Sequence, residues 1–450
     1  MSDLQALAGH ALALTLVLPA LALTFLGGGM LLGHRPSEHR VQQLLAANMS
    51  LAAILASALL LGLALGWLEP VSVNLGTLLA VRGYHFDLAF RLDWLGALYL
   101  WLDVVLCGLV GAFSAPYLHQ DEGYHRFYLL LLVFSVGLAL IAAGAGLDLV
   151  FAGWEVVGLS SALLIAYFLR RPAPVENGLL AYGIYRITDV GLLLAVVSLH
   201  HYAGTTSLES LPSLAPSAAL AIGALLVFGA MGKGAIVPFT PWLPRAMEGP
   251  TPSSAIFYGA LSIHASPFLL LRAAPALESS RALQACVVVL GALTALHATS
   301  VGRVQTDIKC SLGYASVAQV GLMWIWVGLG LYPLAAVHMA GHAILRTWQL
   351  LRAPSLLHER HGLIQALGAD LSETGSLYAR LVPLPLRRAL YRWSLERWFL
   401  EDAGALLAGL CRRVLLALDV LDRRWAALLD RPPEVEDELE LRLEPLEAEQ

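Results

Sequence analysis

The sequence predicts an all-α, polytopic membrane protein, and three observations carry that prediction. Of 450 residues, 58% are hydrophobic and only 14% charged, against roughly 25% charged residues in a soluble domain. Mean hydropathy is +0.69. Apolar runs of about the ~20 residues needed to cross ~30 Å of hydrocarbon recur about eleven times. The runs are continuous rather than alternating, which predicts helices and not barrel strands. The net charge of −5 offers no basic surface for nucleic acid. The four cysteines, Cys107, Cys286, Cys310 and Cys411, show no CxxC spacing, so neither a zinc site nor a disulfide framework is indicated.

In order, the runs lie near 11–33, 45–67, 95–116, 127–146, 149–169, 178–198, 218–238, 253–273, 282–303, 311–331 and 333–351. The first lacks a basic leader and a small-residue cleavage site and reads as a retained span. Arg35, Arg40, Arg126, Arg170, Arg171, Arg245, Arg303 and Lys309 fall in alternate loops, although Arg82, Arg91, Arg272 and Arg281 on the other side dilute the contrast. This bias places the N-terminus outside and the C-terminus in the cytoplasm. In 353–430, apolar stretches are broken by Arg387, Arg388, Arg392, Arg397, Arg412, Arg413, Arg423 and Arg424, with Trp393, Trp398 and Trp425 interleaved. That pattern suits an interfacial helix, a docking helix, or a cytoplasmic tail packed on its own loops. Residues 431–450 are acidic with prolines and read as a disordered tail.

Ionisable residues inside spans are costly and are functional candidates by default. Lys233 is set in the apolar run GAMGKGAIV, followed by the proline-rich turn from Pro238 to Pro252. Glu155, in FAGWEVVGLSS, is near the middle of the fifth span. If the two face one another, a proton on one changes the charge preference of the other, which is what a relay needs. Arg186 and Asp189 share a helix face at i, i+3 and form either a structural ion pair or part of the relay. His264 and His297 are single histidines on apolar faces, where satisfied core histidines are the plain alternative. His338 and His342 stack at i, i+4 with Arg346 one turn on. With no acidic partner within a turn, they suit a proton relay rather than a metal. Lys309, beside Asp307, is either a loop charge or the mouth of a pathway. GAMGKG lacks the spacing of a phosphate-binding loop, and no nucleotide, haem or iron–sulfur motif appears, so no cofactor is expected in this chain.

The chain resembles the antiporter-like subunits of respiratory complex I and of Mrp cation/proton antiporters, the NuoL and MrpA type. The resemblance rests on GWEVVGLSS (Gly153–Ser161), RITDVG (Arg186–Gly191), the long block from Gly229 to Ala255, QTDIKCSLGYASVAQVG (Gln305–Gly321) and HMAGHA (His338–Ala343). RLDWLGALYL (Arg91–Leu100) is similar to the family's N-terminal region. The resemblance implies inverted five-helix repeats with broken helices and charged residues at mid-membrane. It divides the chain into N-terminal transmembrane helices at 1–120, a complete first repeat at 121–275, a truncated inverted second repeat at 276–352, the amphipathic segment at 353–430 and the acidic tail. It also implies a proton-driving pair at Glu155 and Lys233, with Asp189, Lys309, His338 and His342 in family positions. The family's histidine after PTPVSALI is replaced by Tyr258, with His264 six residues on. Its lysine after the paired histidines is replaced by Arg346, which cannot carry a proton in turn.

The truncated second repeat makes the chain similar to the short membrane subunits of DabA/DabB-type inorganic-carbon transporters. The function this implies is a proton-conducting subunit of the inner (cytoplasmic) membrane, with no catalytic chemistry of its own. It would energise bicarbonate or CO2 uptake by a large cytoplasmic DabA-like partner, and zinc is expected only in that partner. The alternatives are a proton-pumping subunit among the membrane subunits of a complex I-like or hydrogenase-like assembly, and a structural membrane subunit with a decayed relay.

Overall fold

The computed structural model describes residues 2–81, 84–367 and 382–428. The acidic tail expected at 431–450 lies outside these residues, as does 368–381 of the arginine-rich segment. The chain divides between Trp398 and Phe399 into two units.

In the first unit, α1 (Ser2–Leu31) and α2 (Glu38–Ala64) precede a hairpin of β1 (Val71–Val81) and β2 (Tyr84–Leu92). The strands are antiparallel, Val71 opposite Leu92 and Val81 opposite Tyr84, with register shifts between Asn74 and Leu79. This hairpin accompanies the helices expected at 1–120 and was not itself expected. Its signal was present: Val71, Val73 and Leu75 alternate with Ser72 and Asn74, and Phe86, Leu88, Phe90 and Leu92 alternate with Asp87, Ala89 and Arg91, close to the period of a half-buried strand.

Next come α3 (Trp94–Tyr117), α4 (Tyr124–Ala143), α5 (Leu147–Ile165), α6 (Pro172–Ala203) and α7 (Pro216–Lys233). The Asp93 carboxylate starts α3 by accepting from Gly96 N at 2.8 Å. The prolines at 172 and 216 start α6 and α7, where a missing N–H costs nothing. After Lys233 the helix stops. Gly234 caps it, Ala235 has φ 50°, the Val237–Pro238 peptide is cis, and helical turns resume only at α8 (Trp242–Arg245). Pro238 and Pro241 lack the N–H groups an unbroken helix would need.

The next span, α9 (Thr251–Arg272), is buried along its whole candidate window and contains a π-helical stretch, Ser254–Leu261. It is the axis of the bundle. Tyr258 sits in that stretch and donates its hydroxyl to Ser161 O at 2.5 Å. Around it follow α10 (Arg281–Gly302), α11 (Ile308–Gly328), α12 (Tyr332–Leu367) and, still within the first unit, α13 (Leu384–Leu395). Among the described residues, ten helices are long and apolar enough to cross a membrane. The eleventh expected run is the first part of α12, where His338, His342 and Arg346 interrupt the apolar sequence. The interruption after α7 is a single broken helix; α10, α11 and α12 are continuous.

Two helix pairs close on glycines in the same way. A methyl group on Gly153 of α5 would stand 2.5 Å from the Gly137 carbonyl of α4, and one on Gly291 of α10 would stand 2.6 Å from the Gly321 carbonyl of α11. Small residues let membrane helices approach backbone to backbone. These contacts fix the rotation of α5 and α11, and with it where their polar side chains point. In the second unit, α14 (Leu400–Leu428) repeats apolar residues at Leu406, Leu410, Val414, Leu418, Leu421 and Trp425, an amphipathic spacing.

Candidate functional site

Lys233 is wholly buried at the last turn of α7, immediately before the interruption. Its Nζ has no hydrogen-bond partner among the described residues. It rests instead on two ring faces, 4.4 Å from the centroid of Tyr185 and 5.0 Å from that of Trp154. Gly158 of α5 leaves the space it occupies, since a Cβ there would stand 2.7 Å from Nζ. Cation–π contact is worth about 0.5–2 kcal/mol, less than the several kcal/mol cost of burying an ammonium. No fixed acceptor holds a proton on this amine.

The expected Glu155–Lys233 contact is not formed. Glu155 Oε2 pairs with Arg186 Nη1, and Arg186 Nη2 reaches Asp189 Oδ2 at 2.8 Å. The Trp154 indole donates to Asp189 Oδ1 at 2.6 Å. Arg186 and Asp189 therefore tie the cluster together, as their shared face of α6 predicted, and Trp154 touches both Asp189 and Lys233. The arrangement puts two carboxylates, a guanidinium and an uncommitted amine in one network. Glu155 Oε1 and Arg186 Nε remain buried without partners, while the two side chains as wholes are 26% and 35% exposed. They reach the flank of the bundle beside outward-facing Leu159, Ile187 and Val190.

A second cluster joins α9 to α12. His264 Nε2 meets His342 Nδ1 at 2.9 Å, and Arg346 Nε donates to His342 Nε2 at 3.4 Å. Because the guanidinium only donates, His342 Nε2 accepts and its Nδ1–H points to His264. That leaves His264 Nδ1, buried and unbonded, as the end of the chain. His338 is held separately: Trp326 Nε1 donates to its Nδ1 at 3.2 Å, so its Nε2–H points to Gln319 Oε1 at 2.8 Å. The paired histidines share a helix face, as their spacing predicted, but the tight contact is between His342 and the histidine that follows Tyr258. Among the described residues no group of three or more His, Cys, Asp and Glu is placed to hold a metal ion.

Lys309 does not join either cluster. Its ammonium caps the turn after α8, donating to Met247 O at 2.6 Å and Gly249 O at 2.9 Å. Asp103 was missed by the sequence reading: on α3, 1% exposed, it accepts from Ser135 Oγ at 3.0 Å and Cys107 Sγ at 3.2 Å. The signal that singled out Glu155, one carboxylate in an apolar run, was equally present in WLDVVLCG. Trp154 and Tyr185 were also missed, since an aromatic in a membrane helix carries no signal until its neighbour is known.

Below the hairpin, a polar cavity of about 340 Å³ is lined by Tyr84, Asp87, Asp148, His200 and Thr206. Tyr84 and Thr206 both donate to Asp148 Oδ2 at 2.9 Å. Burial, and then the bond to Asp148, push the Tyr84 phenol up to about 12.

Fold and site together define a multi-pass membrane protein with an interrupted helix and two clusters of ionisable groups in its interior. The chain belongs to the family described as NADH:quinone oxidoreductase/Mrp antiporter, transmembrane, which matches residues 145–383. Residues 78–128 match the N-terminus of complex I chain 5. NADH-quinone oxidoreductase subunit L of Neisseria meningitidis is 29% identical over 364 residues, 76% of this chain and 54% of that protein. NADH-ubiquinone oxidoreductase chain 5 of Cryptococcus neoformans var. grubii is 32% identical over 294 residues, 64% of this chain and 44% of that protein. The chain thus spans about half the length of the curated relatives it matches. Among solved structures, the Mrp complex from Dietzia sp. DQ12-45-1b aligns with TM-score 0.64 and 24% identity, covering 77% of this chain and 37% of that one. The archaeal membrane-bound sulfane sulfur reductase aligns with TM-score 0.65 and 20% identity, covering 76% and 70%. These likenesses show an antiporter-like fold.

Proposed function

We propose that this chain is a proton-conducting subunit of a membrane complex. The observation that carries the reading is Lys233: an amine fully buried with no hydrogen-bond acceptor among the described residues, beside a Glu155–Arg186–Asp189 network. A purely structural charge in a membrane interior is paired, because an unpaired one costs several kcal/mol. In the proposed relay a proton arrives at or leaves Lys233 as the carboxylates exchange partners. Arg186 stays charged and sets the field. His264, His338 and His342 extend the relay, and Arg346 orients His342. Lys309 supports the relay from outside, by clamping the turn beyond the interruption.

The half-exposed Glu155–Arg186 pair favours a membrane-embedded neighbour, since lipid satisfies neither group. The finer reading is that the proton gradient energises inorganic-carbon uptake by a DabA-like zinc subunit. A NuoL-like role in a complex with redox subunits is the alternative, and the named relatives support it. The arginine bias of the loops supports an inner-membrane location with a cytoplasmic C-terminus.

The test is proton flux through the assembled complex in proteoliposomes, followed with a pH dye. Lys233→Ala and Glu155→Gln are each expected to lower flux by about 10²-fold, the scale of a lost acid–base group. Unchanged flux with normal assembly refutes the relay and leaves a structural subunit. Affinity capture from native membranes separates the partners: a zinc-containing subunit supports carbon uptake, and quinone-reducing subunits support respiration.

A further inference from the structure

The proposed relay leaves buried titratable groups without a task, and His297 is one of them. His297 lies on α10 before its end at Gly302 and is 1% exposed. Its Nε2 meets Thr240 Oγ1 at 3.1 Å, while its Nδ1 is buried with no hydrogen-bond partner among the described residues. Thr240 belongs to the interruption between α7 and α8. One turn earlier on α10, Thr294 Oγ1 accepts from Val237 N at 3.0 Å, and residues three apart share a face. The same face of α10 therefore makes both polar contacts to the interrupted stretch that begins at Lys233.

Trp398 covers this histidine. Its ring stands edge-on at 5.2 Å from the imidazole, and its Nε1 donates to Ser300 Oγ at 3.1 Å. Ser300 in turn donates to His297 O at 2.8 Å. Trp398 is itself only half-buried. Its backbone is strained: Arg397, Trp398 and Phe399 have φ of 48°, 58° and 55°, the left-handed region that non-glycine residues avoid. Such a run persists only where its surroundings hold it, and here the seat of the indole on α10 does so. A half-buried cover held by one side-chain hydrogen bond and by ring contacts to His297 and Trp393, against backbone strain, is poised to lift. A histidine kept only to bond Thr240 needs one nitrogen; the second, buried and unbonded, is a cost that water would relieve once the cover lifts.

We propose that His297 is a protonation site beside the α7 interruption, and that Trp398 is the lid separating it from water at the end of α10 that leads to Arg303. This rests on the proton-relay reading of Lys233. The lid makes access to the interruption conditional, so that displacing Trp398 opens a water contact to a histidine already bonded to the broken segment.

The test uses the full complex in native membranes, treated with diethyl pyrocarbonate, with modified histidines located by peptide mass spectrometry. Trp398→Ala is expected to raise the modification rate of His297 about tenfold or more, the effect of removing the indole and its bond, with His264 unchanged. An unchanged His297 rate overturns the lid. Trp398→Phe keeps the ring and loses only the Ser300 bond, which covers the case where the alanine variant fails to assemble. It should raise the rate about fivefold, and a parental rate again overturns the lid. In proteoliposomes, Trp398→Ala should increase passive proton leak, and adding His297→Phe should abolish the increase; a leak that survives His297→Phe overturns the site. Lys233→Ala separates the two readings. If it leaves flux intact, the relay itself fails. If it abolishes flux while His297 stays shielded in Trp398→Ala, the lid alone fails.

Discussion

Gly158→Ala separates the chemistry of the Lys233 site from its stability. The added methyl would stand 2.7 Å from Lys233 Nζ, 3.5 Å from Tyr185 Cδ2 and 3.6 Å from Arg186 Nη2. The last two distances are ordinary contacts and the first is not. Restoring an ordinary separation of 3.4 Å moves the amine by about 0.7 Å. It must move against the Trp154 and Tyr185 rings that cradle it. The fold can absorb this, because the end of a lysine side chain is flexible and alanine is favoured over glycine inside a helix by about 0.5–1 kcal/mol. Proton transfer cannot absorb it as easily, since a displacement near 1 Å costs up to about 10²-fold in rate. The expected outcome is a 10- to 100-fold loss of proton flux, in the range of that misplacement cost, with a melting temperature in detergent equal to or above the parent's. Parental flux at parental stability would show that the position of Lys233 does not matter, and the relay argument would fall with it.

Two further substitutions probe groups set apart from that cluster. Lys309→Met removes two bonds to the Met247 and Gly249 carbonyls. At roughly 1.5–3 kcal/mol per bond from a charged donor, discounted for the partial exposure of the side chain, it should destabilise by about 2–4 kcal/mol. Thermal unfolding reads this directly, and flux lost at full stability would instead place Lys309 in the relay. Asp103→Asn keeps an acceptor for Ser135 and should change stability by no more than about 1 kcal/mol, with flux unchanged; a collapse of flux would make Asp103 a relay member.

Much of this protein was legible in its residues. Continuous apolar runs specify helices because a bilayer leaves backbone groups no partners but their own. Lys233, Glu155, Asp189 and the α12 histidines were visible as charges and imidazoles that lipid does not tolerate cheaply. The break after Lys233 was legible too, in Pro238 and Pro241. The hairpin was overlooked because a search tuned to membrane-length runs passes over two short alternating strands, and Asp103 was passed over for want of a neighbouring motif.

Partnership between helices was decided by the tertiary structure alone. The sequence suggested Glu155 with Lys233. The packed helices instead give Glu155 to Arg186, leave Lys233 on two aromatic faces, and join His342 to His264 across α9 and α12. The physical reason is that side-chain meetings between helices depend on how each helix is rotated about its axis. That rotation is set by close contacts such as Gly137 with Gly153 and Gly291 with Gly321, between residues whose spacing along the chain says nothing about which atoms will touch.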